Sequence, residues 1–195
     1  MRKGFLAAAM MCVLSAATVM CAHAEELQTE TATEGTFGTA LEELKWDDKM
    51  QQMFVAEGFS GTVYDIDAFG MQMLVPEGLE KRQPTEEELA EDTRLVFENA
   101  QKDQKIELVL GPVGDCKTLD DVKAFIEQQV PGIVIFPTKI NEFDTLVYGT
   151  EESNSMCVLI GAGDAGFLRV ICRPINDPQM SKLYSYVAAS IQTIK

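Results

Sequence analysis

The sequence predicts an α+β domain, with helices packed on an antiparallel or mixed sheet. Three observations carry this. Segments of two-residue apolar alternation are interspersed with segments of helical spacing, several alternating segments come as hairpin pairs, and capping signals mark the helix starts. No internal repeat occurs, and nothing past residue 38 reads as a linker.

The ordered part begins in a helical segment over residues 39–59. Leu41 and Leu44 share one face and Met50, Met53 and Phe54 another, so the helix reads as broken, with Asp47 capping a second short piece. Trp46, the one tryptophan, sits at the break and reads as a packing residue. From Gly61 the period becomes two. Val63, Asp65 and Asp67 alternate with Tyr64 and Ile66, and Met71, Met73 and Val75 alternate with Gln72 and Leu74. This predicts a hairpin around Ala68-Phe69-Gly70, with Pro76-Glu77-Gly78 ending its second strand.

Thr85 and Glu88 form a capping box behind Pro84 and open a short helix, whose acidic residues 86–91 read as a solvated face. Strands are predicted over residues 95–98 and 106–110, joined by a polar turn at 101–104. Thr118 opens a further helix in which Leu119, Val122, Phe125 and Ile126 share a face, and Pro131-Gly132 ends it. Residues 133–136 and 146–148 are strand-like, and 156–160 with 167–172 form a last hairpin. The final helix is the clearest element. Asp177 caps it, Pro178 takes its first turn, and Met180, Leu183, Tyr184, Val187, Ala188 and Ile191 repeat at helical spacing as a core stripe.

The N-terminus speaks for compartment. Arg2 and Lys3, an apolar stretch over residues 5–20, and Ala22-His23-Ala24 ahead of Glu25 follow the order of a signal peptide over residues 1–24. The uncharged run 4–22 is nearly long enough to span a bilayer, so an uncleaved anchor is one alternative. Lipid attachment at Cys21 is another, with Met20 standing where that motif has a small residue. The chain is expected to be secreted or held in a bacterial cell envelope, with membrane contact only through that segment. Residues 25–38, rich in Thr, Glu and Gly, read as a flexible tether.

Loss of 24 residues from 195 leaves 171, a size suited to one domain, over residues 60–195 after the tether and helical segment. The net charge of −15 becomes −17, because Arg2 and Lys3 leave and no acid does. Such a field repels phosphate backbones and anionic membrane surfaces, which excludes nucleic acid as an expected partner.

The same cleavage removes His23, the one histidine. Ser-His-Asp and Cys-His nucleophiles, histidine bases and histidine-ligated zinc are thereby excluded from the mature chain. Of five cysteines, Cys116, Cys157 and Cys172 remain, enough for one disulfide at most. If the last hairpin's loop holds residues 163–166, Cys157 and Cys172 face each other, as a cross-strand disulfide or, more simply, as two buried thiols. Cys116, beside Lys117 and ahead of the helix capped by Thr118, is a candidate reactive thiol, but it has no C-x-x-C partner.

Gly161-Ala162-Gly163-Asp164-Ala165-Gly166 matches G-x-G-x-x-G, yet a dinucleotide site needs a helix next and a strand-like run follows, so it reads as a hairpin turn. Asp65 and Asp67, on alternate residues, could bind calcium or do acid–base work; no calcium loop surrounds them, and a solvated strand face is the simpler reading. No catalytic, cofactor-binding or metal-ligating residue is assigned, and no cofactor is expected.

The order of elements resembles the PsbP-like fold. The hairpin ending in Leu74-Val75-Pro76-Glu77-Gly78, the middle helix, the strand hairpin and the C-terminal helix ending in Ala189-Ser190-Ile191 carry the likeness over residues 60–195. The chain is also similar to uncharacterised exported proteins of anaerobic gut Firmicutes, through the Pro-x-Gly exit and an aromatic strand near Leu146-Val147-Tyr148. The resemblance implies an α/β/α sandwich around an antiparallel sheet, in which members act as non-catalytic binding or assembly factors.

The expectation is a non-catalytic binding module for a protein, peptide or small ligand. The alternatives are a thiol- or carboxylate-dependent extracellular enzyme and a calcium-stabilised surface protein. A groove lined by apolar groups, without clustered carboxylates, would separate the first from the others.

Overall fold

The computed structural model describes residues 43–150 and 152–194. The segments read as signal and tether, with Leu41, lie outside these. At Leu44 the expected helix gives way to an extended bridge. The Leu44 N–H donates to the Lys139 carbonyl at 2.8 Å, and the Trp46 N–H donates to Asn141 Oδ1 at 2.9 Å. Those bonds hold the chain straight until Asp47, whose carboxylate accepts from the Met50 N–H and starts α1 (Asp48–Ala56).

The predicted hairpin follows as β1 (Gly61–Ile66) and β2 (Met71–Pro76), joined by a 3-10 turn over Asp67–Phe69. Next come β3 (Glu80–Arg82), α2 (Glu86–Ala90), β4 (Thr93–Asn99) and β5 (Gln104–Gly111). Then α3 (Leu119–Gln129) leads into the meander β6 (Ile135–Ile140), β7 (Phe143–Thr150), β8 (Ser155–Gly161) and β9 (Phe167–Arg173). The chain ends in α4 (Pro178–Ala189) and β10 (Gln192–Thr193). Thr85 with Glu88, and Thr118 with Asp121, form complete capping boxes, and Asp177 accepts from the Gln179 N–H, so each helix starts where a short polar side chain meets its free amides.

Among the described residues the named strands all pair antiparallel, in two sheets ordered β3-β4-β5-β9-β8-β7-β6 and β1-β2-β10. The expected α+β architecture is thus present, with α4 and the three-stranded sheet together covering the inner face of the seven-stranded sheet. Register places alternate residues on common faces. Ile106 opposite Cys172 and Leu108 opposite Val170 turn inward, where they meet Met73, Tyr184, Val187 and Ile191 in the main core. The other face of the seven-stranded sheet is covered at one end by α3, through Val122 against Leu146, Leu159 and Phe167. A third cluster joins Phe54 of α1 to Leu74 and Tyr186, with Trp46 packed edge-on to Phe54 at 6.1 Å. Phe125 departs from the predicted buried stripe of α3 and stands 38% exposed.

The other end of that outer face is polar. Arg82 pairs with both Glu98 and Glu88, Lys105 with Glu88 and Glu107, and Arg173 with Glu107, so six charges alternate in sign across β3, β4, β5, β9 and α2. Lys105 and Glu107 are buried, and their charges persist because each has opposite neighbours within hydrogen-bond reach. The Arg82 guanidinium, and then Lys105 and the Thr85 amide, hold the Glu88 carboxyl far below the ordinary carboxylate range against the opposing effect of burial. This pins α2, only five residues long, to the sheet.

Candidate functional site

The two sheets do not close on each other along one side. There, the edge strand β1 of the small sheet faces the edge strand β3 of the large one. The chain itself makes the crossing. The Leu79 N–H donates to the Pro76 carbonyl at 3.3 Å and Gly78 has φ +88°, a type II turn whose third position needs the left-handed conformation that glycine provides. This turn delivers β3 to the opposite wall of an open cleft of about 470 Å³.

The cleft floor is apolar: Val75 and Pro76 from β2, Phe97 from β4, and Leu79 at the turn. Its mouth is polar and tied. Lys81 Nζ donates to Tyr64 Oη at 2.7 Å and also lies 5.2 Å from the centre of that ring. The Tyr64 ring stands edge-on to Phe97 at 5.0 Å. At the other end, the Ser60 hydroxyl donates to Glu77 Oε2. Thr62 and Gly61 complete the β1 wall. Gly61 is there for space, since a Cβ on it would fall 2.6 Å from the Val75 carbonyl oxygen.

Among the described residues the lining therefore holds one carboxylate, Glu77, one ammonium, Lys81, and three hydroxyls, from Ser60, Thr62 and Tyr64, around an apolar floor. An apolar floor with a few polar groups at the rim is suited to holding a ligand.

The residues singled out from the sequence lie elsewhere. Asp65 is exposed on β1, but Asp67 opens the 3-10 turn, so the two do not share a strand face as expected. Among the described residues no group of three or more His, Cys, Asp or Glu gathers to hold a metal ion. Cys116 is half-buried against the cluster under α3, beside Val113 and Leu119.

Cys157 and Cys172 do not face each other. The loop runs over residues 162–166, one longer than the reading that paired them, so Cys157 lies opposite Ile171 and Cys172 opposite Met156. With a two-residue period, that one-residue difference puts the thiols on opposite faces of the sheet. Burial pushes the Cys157 thiol up to about 11 and the Cys172 thiol higher still. The glycine-rich segment is the hairpin turn expected, and Gly166, with φ +92°, packs so closely that a Cβ would fall 2.6 Å from the Gly111 carbonyl oxygen.

Sequence reasoning did not find the cleft. It named Pro76-Glu77-Gly78 as a strand end, and that turn was the available signal, since the next residues begin a strand in the other sheet.

No protein-family model and no curated protein matches the chain. Among solved structures, the solution structure of cyanobacterial PsbP (CyanoP) from Synechocystis sp. PCC 6803 is similar, with 14% identity over 84% of this chain and 98% of that one, at a TM-score of 0.45. No functional residue is carried across on this likeness.

Proposed function

We propose that the protein is a non-catalytic, extracytoplasmic binding module and that it takes its ligand in the cleft between β1 and β3. The observation that carries this reading is the cleft's lining, an apolar floor of Val75, Pro76, Leu79 and Phe97 in which Glu77 is the one carboxylate among the described lining residues. The basic-apolar-small order of residues 1–24 supports the location. The strongly acidic chain, at −15, supports a partner that is not a phosphate polymer.

Nile red, a neutral apolar dye, tests the cleft. Thr62 is exposed and lines it, so Thr62→Trp fills the space without disturbing a buried side chain. Saturable one-site fluorescence with the wild-type chain, lost in T62W, is the expected result. Dye binding of equal strength in both, or in neither, overturns the reading.

A further inference from the structure

We propose that the partner is an extended peptide segment carrying Lys or Arg, which adds as a further strand to the outer edge of β1 and lays its inward side chains into the cleft. This rests on the cleft-binding reading above and names the class of ligand.

The ladder geometry fixes which backbone groups are on offer. The Leu74 N–H donates to Ser190 Oγ at 2.7 Å, on the side of β2 away from β1, and the Glu77 N–H donates to the Ser60 carbonyl at 2.9 Å. Antiparallel pairing alternates. Thr62, Tyr64 and Ile66 therefore direct their N–H and C=O groups to β2, and Gly61, Val63 and Asp65 direct theirs outward. Among the described residues no strand lies on that side of β1.

Natural sheet edges are commonly guarded by lysine, proline or a bulge. Residues 61–64 of β1 carry no lysine or proline, and their pairing with β2 is continuous. Val63, 44% exposed, offers an apolar cross-strand contact on the face away from the cleft.

Charge selects the peptide. Asp65 on the strand, Asp67 just past it, Glu77 at the rim and Glu80 on β3 are all exposed. Among the described residues the one cation lining the cleft, Lys81, is engaged by Tyr64. An incoming strand with cationic side chains meets this surplus of carboxylates, and its backbone meets the free edge.

The test titrates the full chain with labelled peptides of about ten residues that alternate Lys with Val or Glu with Val. The Lys/Val peptide is expected to bind at least about tenfold more tightly. Val63→Pro removes an outward N–H and leaves the β2 ladder intact, so it should weaken that peptide by about tenfold or more with little change in melting temperature. Should V63P fail to fold, the Lys/Val peptide N-methylated at alternate amides, added to the wild-type chain, replaces it and should show the same loss. Equal binding by V63P and wild type, or by the methylated and unmethylated peptides, overturns strand addition. Failure of the Lys/Val peptide to bind while Nile red still saturates a T62W-sensitive site overturns the peptide proposal and leaves the cleft reading standing; loss of both overturns both. A wild-type dimer that V63P dissociates, without peptide binding, assigns the edge to a second copy and also overturns the proposal.

Discussion

The Lys81 ammonium donates to the Tyr64 hydroxyl at 2.7 Å and so ties the edge strand of one sheet to the edge strand of the other. The contact spans the mouth of the cleft, and Phe97 supports the Tyr64 ring from below. Lys81→Met removes the hydrogen bond and the cation over the ring. We expect a loss of about 0.5–1.5 kcal/mol, measured by urea unfolding. Tyr64→Ala also removes a half-buried ring and should cost more, about 2–4 kcal/mol.

Glu88 sets part of the acid limit of stability. Its carboxyl titrates well below its ordinary value in the folded chain, with Arg82 as the chief cause. The folded state then binds fewer protons than the unfolded state as pH falls below about 5. The stabilisation is fully present above the unfolded pKa, near 4.3, and is lost as pH falls through the folded one. Glu88→Gln should cost about 1–3 kcal/mol at pH 7, and the gap between its urea midpoint and that of the wild type should start to narrow as pH falls below about 4.3.

Two glycines of one turn should respond differently. Gly166 has φ +92° and no room for a Cβ beside Gly111, whereas Gly163 has φ +59° with open space around it. Gly166→Ala should destabilise by about 2–4 kcal/mol and Gly163→Ala by about 1 kcal/mol. Thermal unfolding of both variants checks this. Equal effects would show that the turn does not pack as described.

The thiols should separate by burial. Cys172 is fully enclosed and Cys157 nearly so, whereas Cys116 is half-buried. Iodoacetamide on the native chain, followed by peptide mapping, should label Cys116 first and reach Cys157 and Cys172 only on unfolding. A mapped Cys157–Cys172 disulfide would contradict the register of β8 and β9.

Elements with local causes were legible in the sequence. Asp177-Pro178 with its helical stripe, the capping boxes at Thr85 and Thr118, and the β1–β2 alternation each act within a few residues. Elements with distant causes were not. Glu80-Lys81-Arg82 has no apolar alternation and becomes a strand only by pairing with β4. Leu44 is extended because Lys139 accepts its N–H. The opposing cysteines failed on a single loop residue, which the two-residue period turns into a change of face. The cleft was invisible for the same reason as β3, since it exists only where two edge strands from different sheets meet.

Amide hydrogen exchange of the full chain, with and without the Lys/Val peptide, addresses the cleft and the edge together. The account predicts fast exchange at Gly61, Val63 and Asp65 and slow exchange at Thr62, Tyr64 and Ile66 in the free chain, with the first set slowing when peptide is added. Protection arising at another surface, or no change at β1 on saturation, would contradict the claim that the open side between β1 and β3 is where this protein binds.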